Sequence, residues 1–241
     1  MSKRPKSPAE FDTYADNYTA LIHDPLREKF TASDRFFFER KIQVIQRFYE
    51  GRGVDTRNLA WLDVGCGQGD LLRVGKPHFG SATGTDPSAR MLESCSDLQV
   101  RQQPSPVRLP FGDKSFDFIT AVCVYHHVPD KQRLAFTGEI LRLLKPQGIF
   151  CIIEHNPLNP VTKLVVSRSP VDADARLLTS RQTRNLLRSA GCAILDTQYF
   201  LFFPQRIHKY LAPLEDKLGC IPFGGQYCMM CTRPSVVAEK I

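Results

Sequence analysis

The spacing of apolar and polar positions changes twice along the chain. Between Phe11 and Tyr49 it is helical, in at least two pieces broken near His23-Asp24-Pro25. Ser33-Asp34 predicts a helix start, Phe36, Phe37, Ile42, Val44, Ile45 and Phe48 supply its apolar face, and Gly51-Arg52-Gly53 stops it. From Leu59 onward, short and nearly continuous apolar runs alternate with helical stretches. Strands are predicted at residues 60–64, 82–85, 98–102, 116–122 and 149–153, and helices near 70–76, 88–94 and 131–144. The turn Lys145-Pro146-Gln147-Gly148 ends the last helix. Apolar strands separated by helices imply a parallel sheet covered on both faces. After Asn156 the pattern changes again. Residues 156–180 are rich in Pro and charge, with Pro157, Pro160 and Pro170 breaking any long element. A helix follows at 180–190, then strands at 193–203 and 226–232 separated by a helix at 206–218. The chain divides into a polar tail (to about Pro8) with a helical cap, residues 1–57, and one α/β domain, residues 58–241, with an insertion at about 156–180.

Composition narrows the class. The 241 residues are 42% hydrophobic and 24% charged, which suits a folded globular protein. No run reaches the ~18–20 apolar residues that span a bilayer, and no signal-peptide core follows the basic start. Eight cysteines without secretory features read as reduced thiols. A soluble, cytoplasmic protein is expected. The net charge of +7 is unevenly placed: residues 58–155 are balanced, and most of the excess lies in the last third.

Candidate chemistry starts at Trp61-Leu62-Asp63-Val64-Gly65-Cys66-Gly67-Gln68-Gly69. An apolar strand runs into an acid, then three glycines at spacing two, then a helix. Glycines there let the backbone turn tightly and approach a ligand. A second acid, Asp86 in Gly84-Thr85-Asp86-Pro87, ends the next strand, where a carboxylate accepts ribose hydroxyls. A nicotinamide cofactor calls for Gly-x-Gly-x-x-Gly, with a helix N-terminus free to receive pyrophosphate. Here the spacing is Gly-x-Gly-x-Gly and Asp63 sits beside it. An acid disfavours pyrophosphate but suits an ammonium group. S-adenosylmethionine has that ammonium, no phosphate and a ribose, so it is the expected cofactor.

In order along the chain come Asp63-Val-Gly-Cys-Gly-Gln-Gly, Asp86-Pro-Ser, Leu109-Pro110-Phe111, Ser115-Phe116-Asp117, Val124-Tyr125-His126-His127-Val128-Pro129-Asp130 and Leu144-Lys145-Pro146-Gln147-Gly148. Over about residues 58–155 this series resembles class I S-adenosylmethionine-dependent methyltransferases of the methyltransferase type 11 group. The resemblance implies a Rossmann-like seven-stranded sheet with helices on both faces and an antiparallel last strand pair. It implies cofactor contacts at Asp63, Gly65, Cys66, Gly67, Gly69, Asp86, Pro87, Met91, Ser105, Pro106, Val107 and Cys123. One departure stands out: relatives place Asp-Ala where this chain has Ser105-Pro106, so adenine recognition would lean on packing by Met91, Pro106 and Val107. Acceptors in this fold sit beyond the C-terminal strand ends. His126 and His127 after the fourth strand, and Glu154 after the fifth, are the candidate catalytic residues, with Glu154 orienting a histidine base as in sugar O-methyltransferases. His155 is an alternative, and the same histidines can simply pack beside the cofactor. Tyr14 and Tyr18 could close over the cofactor or serve as packing.

The fourth strand is not followed by the Asn/Asp-Pro-Pro-aromatic sequence of base-amino methyltransferases, which argues against nucleic-acid bases. Lys163, Arg168, Arg176, Arg181, Arg184 and Arg188 nevertheless cluster near the insertion, either as a solvated face or as a phosphate-binding one. Cys228-Met229-Met230-Cys231 has metal or redox spacing but falls in a predicted strand, which sends the two thiols to opposite faces. No metal site is expected. The resulting reading is methylation of a small molecule, such as a hydroxyl of a sugar or other metabolite. RNA or protein methylation, and cofactor binding without turnover, remain as alternatives; the oligomeric state is not encoded legibly.

Overall fold

A computed structural model describes residues 11–233. Seven strands form one sheet: β1 (Ala60–Val64), β2 (Ser81–Asp86), β3 (Gln99–Gln102), β4 (Phe116–Val122), β5 (Leu144–His155), β6 (Ala193–Phe200) and β7 (Gln226–Thr232). Their order is β3-β2-β1-β4-β5-β7-β6. The first five strands pair in parallel, and β7 runs antiparallel to both β5 and β6.

Two apolar layers cover the sheet. On one face Leu62, Val64, Ile119, Ala121 and Ile152 pack with Phe136, Ile140 and Leu187, from the helices Asp130–Leu143 and Ser180–Ser189. On the other, Trp61, Phe118, Cys151, Ile153 and Met230 meet Ile42, Ile45, Phe48 and Leu72, from Arg35–Glu50 and Asp70–Gly75. Strand order reverses direction between β1 and β4, so their C-terminal ends open a crevice, the usual ligand position in doubly wound sheets. No helix among the described residues is long and apolar enough to cross a membrane.

The N-terminal region is helical in pieces, with Pro25–Phe30 started by Asp24, whose carboxylate accepts the Leu26 N–H at 2.7 Å. The polar tail to Pro8 lies outside the described residues. Beyond shifts of a residue or so at element ends, three regions differ from what the sequence predicts. Residues 145–148 do not leave the sheet: Leu144 pairs with Phe116, and the irregularity is absorbed as a register shift beside Gln147, at φ +65°. The sixth strand stops at Phe200 because Leu201 turns to φ +62°, and the Glu215 carboxylate takes the N–H groups of Phe202 and Phe203 at 3.0 and 3.4 Å. The Pro-rich insertion contains a helix, Pro160–Arg168. Pro160 occupies its first turn, where a missing N–H costs nothing, and Asn159 caps Thr162 at 3.0 Å.

Candidate functional site

The glycine turn is built on β1 and tied to β2. Gly65 and Cys66 both donate their N–H to the Thr85 carbonyl, at 2.7 and 3.1 Å, and Gly65, Gly67 and Gly69 all have positive φ. A Cβ at Gly69 would lie 2.3 Å from Leu98 Cδ1, whereas at Gly67 it would meet nothing within 4 Å. Gly69 is thus favoured by its left-handed φ and by close packing against Leu98 and Cys95. Gly67 instead leaves open space over the turn, of the kind a ligand can fill. Cys66 sends its side chain inward toward Cys95, leaving only its backbone to the turn.

Two acids flank that space. Asp63 is buried and accepts a 2.6 Å hydrogen bond from the Thr120 hydroxyl on Oδ1; Oδ2 has no hydrogen-bond partner among the described residues. Burial, only partly offset by that bond, pushes its pKa up to about 7. Asp86 takes the Gly67 and Ser88 N–H groups, both at 2.9 Å, and burial raises it to about 6. Raised carboxylates next to open space suit a ligand bringing positive charge to one and hydroxyl donors to the other. Ammonium and ribose groups meet that requirement, so the residues present fit S-adenosylmethionine. Met91 is buried in the short helix after Pro87, and the Ser105–Arg108 turn is joined to Asp86 through Gln103 N–H at 3.0 Å. Cys123 ends β4 at φ +56°, its N–H bonded to the Ile153 carbonyl at 2.8 Å; burial lifts its thiol to about 11.

Across the crevice, β4 and β5 bring the predicted histidines and acid together. Glu154 is fully buried. Its Oε1 accepts the Tyr125 N–H at 2.7 Å and its Oε2 pairs with His126 Nδ1. His126 Nε2 faces Asp172 Oδ1 at 3.4 Å, and His127 Nε2 faces the same oxygen at 3.5 Å. Burial alone would lower His126, but the charges of Glu154 and Asp172 outweigh it and hold His126 well above its ordinary value. Asp172 is in turn held below the usual carboxylate range, burial being overcome by its contact with His126. His155 behaves oppositely: burial, with the His126 charge nearby, lowers it to about 4.

The N-terminal segment lies over this crevice. Gln68 Nε2 donates to the Ala15 carbonyl at 2.8 Å, Ser88 Oγ to Asp12 at 2.5 Å, and Arg90 pairs with Asp16 at 2.6 Å. Phe11 meets His127 edge-on at 5.1 Å. Tyr18 is half-buried; desolvation and the Asp172 charge raise its hydroxyl. Residues that sequence reasoning missed complete the site. Asp172 comes from the insertion, where nothing in the pattern marks it. Gln226 reaches Cys123 Sγ and His155 Nδ1, both at 3.5 Å. Lys41 is buried near Asp63, Cys123 and His155, and desolvation lowers its pKa. Its signal was available: Phe38, Lys41 and Ile45 share one helical face, so a cation sits on an apolar stripe.

The cysteine pair in β7 divides between the two layers, Cys228 against Cys151 at 3.5 Å and Cys231 in the opposite core with Cys192.

Comparison with known proteins bears on the fold and on the type of domain. Residues 62–152 match the family model described as "Methyltransferase domain". Over these residues the chain is similar to S-adenosylmethionine-dependent methyltransferase domains. Among curated relatives, an uncharacterized methyltransferase, YcgJ, of Bacillus subtilis is 34% identical over 109 residues, 42% of each chain. A demethylmenaquinone methyltransferase of Lactobacillus johnsonii is 33% identical over 135 residues, 49% of this chain and 53% of that one. The match thus spans about half or less of these relatives' length. The structure of a Thermotoga maritima S-adenosylmethionine-dependent methyltransferase, a possible histamine N-methyltransferase, shares the fold: TM-score 0.65 at 17% identity, covering 92% of this chain and 97% of that one. The match to a methyltransferase domain implies S-adenosylmethionine as cofactor.

Proposed function

We propose that this protein transfers a methyl group from S-adenosylmethionine to a small-molecule acceptor bearing a hydroxyl group. The observation that carries this is the buried Glu154–His126 pair extended by Asp172 and His127, on the strand ends facing the glycine turn. The cofactor, when bound, supplies a methyl on a sulfonium, already a good leaving group. The protein's task is then to align the acceptor and take up its proton. Asp63 and Asp86 would hold the ammonium and the ribose, with Gly65, Cys66, Gly67 and Gly69 contributing backbone, Pro87 and Met91 the wall, and Ser105, Pro106, Val107 and Cys123 the remaining contacts. Glu154 fixes His126, and the half-buried His127–Asp172 end is where an acceptor proton would be received.

The N-terminal helices and the insertion at 156–180 serve as the substrate lid in this reading, since Asp12, Ala15 and Asp172 already reach into the site. Acceptor size is in keeping with the relatives, whose names specify a quinone-type compound in one case; a sugar hydroxyl is a narrower version of the same proposal. Part of the basic excess near the insertion is engaged internally, Arg168 with Asp24 at 3.7 Å and Arg176 with Asp130 at 2.9 Å. This weakens the case for a phosphate-binding face.

The test offers methyl-labelled S-adenosylmethionine and three acceptor pools: hydroxylated small molecules, RNA, and protein. Label in the first pool is expected, with turnover falling about 100-fold or more in Glu154→Gln. Label confined to RNA or protein refutes the acceptor class. Calorimetric binding of NAD in place of S-adenosylmethionine refutes the cofactor.

A further inference from the structure

His126, His127 and Asp172 have a geometry that proton transfer alone does not require. His126 is 2% exposed, and its Nε2, aimed at Asp172 Oδ1 at 3.4 Å, makes no well-formed hydrogen bond among the described residues. One ligand atom from each of His126, His127 and Asp172 lies within 4.8 Å of the other two, and Nε2 of both histidines lies 3.4–3.5 Å from the same Asp172 oxygen. Ligand atoms at ~2.0–2.1 Å from a tetrahedral ion stand about 3.3–3.4 Å apart, so these two edges already have metal-site dimensions.

The surroundings fit the same description. Glu154 receives His126 Nδ1, the carboxylate–histidine arrangement that orients a metal-bound imidazole and raises its basicity. The turn bearing Asp172 is fixed by its own hydrogen bonds, Asp172 N–H to Ser169 at 3.1 Å and Ala175 N–H to Asp172 at 2.9 Å. It is anchored to the histidine strand end by Arg176 N–H to the His126 carbonyl at 2.8 Å. His127 and Asp172 are partly exposed, which gives an ion a route in. Two imidazoles and one carboxylate, with no thiolate among the three, select a borderline divalent ion such as zinc or ferrous iron over magnesium or calcium.

We propose that His126, His127 and Asp172 form a divalent transition-metal site, with Glu154 as the outer carboxylate that orients His126. The ion takes the place of a proton on His126 Nε2, and its open positions accept oxygen atoms of water or of the acceptor. The predicted absence of a metal site would then be corrected: the sequence draws attention to the cysteines, whereas the ligands come from the fourth strand end and the insertion. This proposal rests on reading the crevice as the acceptor side of the methyltransferase domain.

The experiment uses the full chain after chelation, titrated with Zn2+ by calorimetry and with Co2+ by visible absorption. One ion per chain is expected, with a cobalt ligand-field spectrum of a low-coordinate nitrogen–oxygen site. Asp172→Asn and His127→Ala should each weaken Zn2+ binding about 10–100-fold or more, and Glu154→Gln about 10–100-fold through His126. S-adenosylmethionine binding and far-UV circular dichroism report whether each variant is folded. A folded wild-type chain that binds the cofactor but takes up no stoichiometric Zn2+ or Co2+ overturns the metal site and leaves the methyltransferase reading standing. Zn2+ binding that is indifferent to Asp172→Asn and His127→Ala overturns the metal site equally. Metal binding without any cofactor binding would instead refute the methyltransferase reading alone.

Discussion

Asp63→Asn isolates the buried acid beside the glycine turn. The substitution is nearly isosteric and keeps an oxygen for the 2.6 Å Thr120 hydrogen bond, which is itself steadied by Trp61 Nε1 donating to Thr120 at 2.8 Å. It removes only the charge. Holding this carboxyl at about 7 in the folded chain, against an ordinary 3.8, means the native state binds the proton more tightly than the unfolded chain does. Stability contributed at this position is therefore fully present below pH 4 and is lost as pH rises through 7. The span corresponds to roughly 4 kcal/mol at most. Asparagine cannot titrate, so without cofactor the variant should gain on the wild type steadily from pH 4.5 to 8 in urea denaturation. Cofactor binding should move the other way. An ammonium against a buried carboxylate is worth about 1.5–3 kcal/mol, or roughly 10- to 150-fold in affinity. S-adenosylmethionine should consequently bind wild type more tightly as pH passes 7, and bind Asp63→Asn more weakly and with little pH dependence. Parallel stability curves would show that burial of this acid is not the source of strain. Unchanged cofactor affinity would remove Asp63 from the ammonium site.

Gly67→Ala should cost only about 1–2 kcal/mol in stability, the strain of a left-handed residue, yet lose most cofactor affinity, because its Cβ enters the open space over the turn. Gly69→Ala should instead lower the thermal midpoint substantially through its clash with Leu98, so equal stability losses in the two variants would contradict this division. Arg40 is buried and pairs with Glu215 at 2.5 Å. Arg40→Met strands that carboxylate and should destabilise the fold by about 3–5 kcal/mol, read by denaturant titration; a loss under ~1 kcal/mol would mean that Glu215 is sufficiently held by the backbone N–H groups of Phe202 and Phe203.

What could be read from the sequence was whatever repeats locally. β1, β4 and β7 lie within continuous apolar runs, and their observed bounds coincide with the predicted ones. Asp63 and Asp86 were legible because a glycine turn and a strand end fix where those acids must be. The meeting of His126 with Glu154 was also legible, since adjacent parallel strands in register bring their ends together. Asp172 was not, because its position depends on a turn held by hydrogen bonds to distant parts of the chain, Arg176 N–H to the His126 carbonyl and the Arg176 guanidinium to Asp130, 46 residues away. No periodicity encodes such a contact. Lys41 failed for a different reason. Its helical spacing was visible, but a lone cation on an apolar stripe is more economically read as a side chain that extends to solvent, and only the packing of the cap against β1 and β5 removes that route. The parts of the site that recur with the fold's own period were therefore predictable, while the parts that distinguish one acceptor from another came from loops and caps, whose contacts are set by tertiary structure alone. That separation explains why the proposed cofactor contacts follow from motif positions, while the proposed acceptor side rests on the geometry around Asp172.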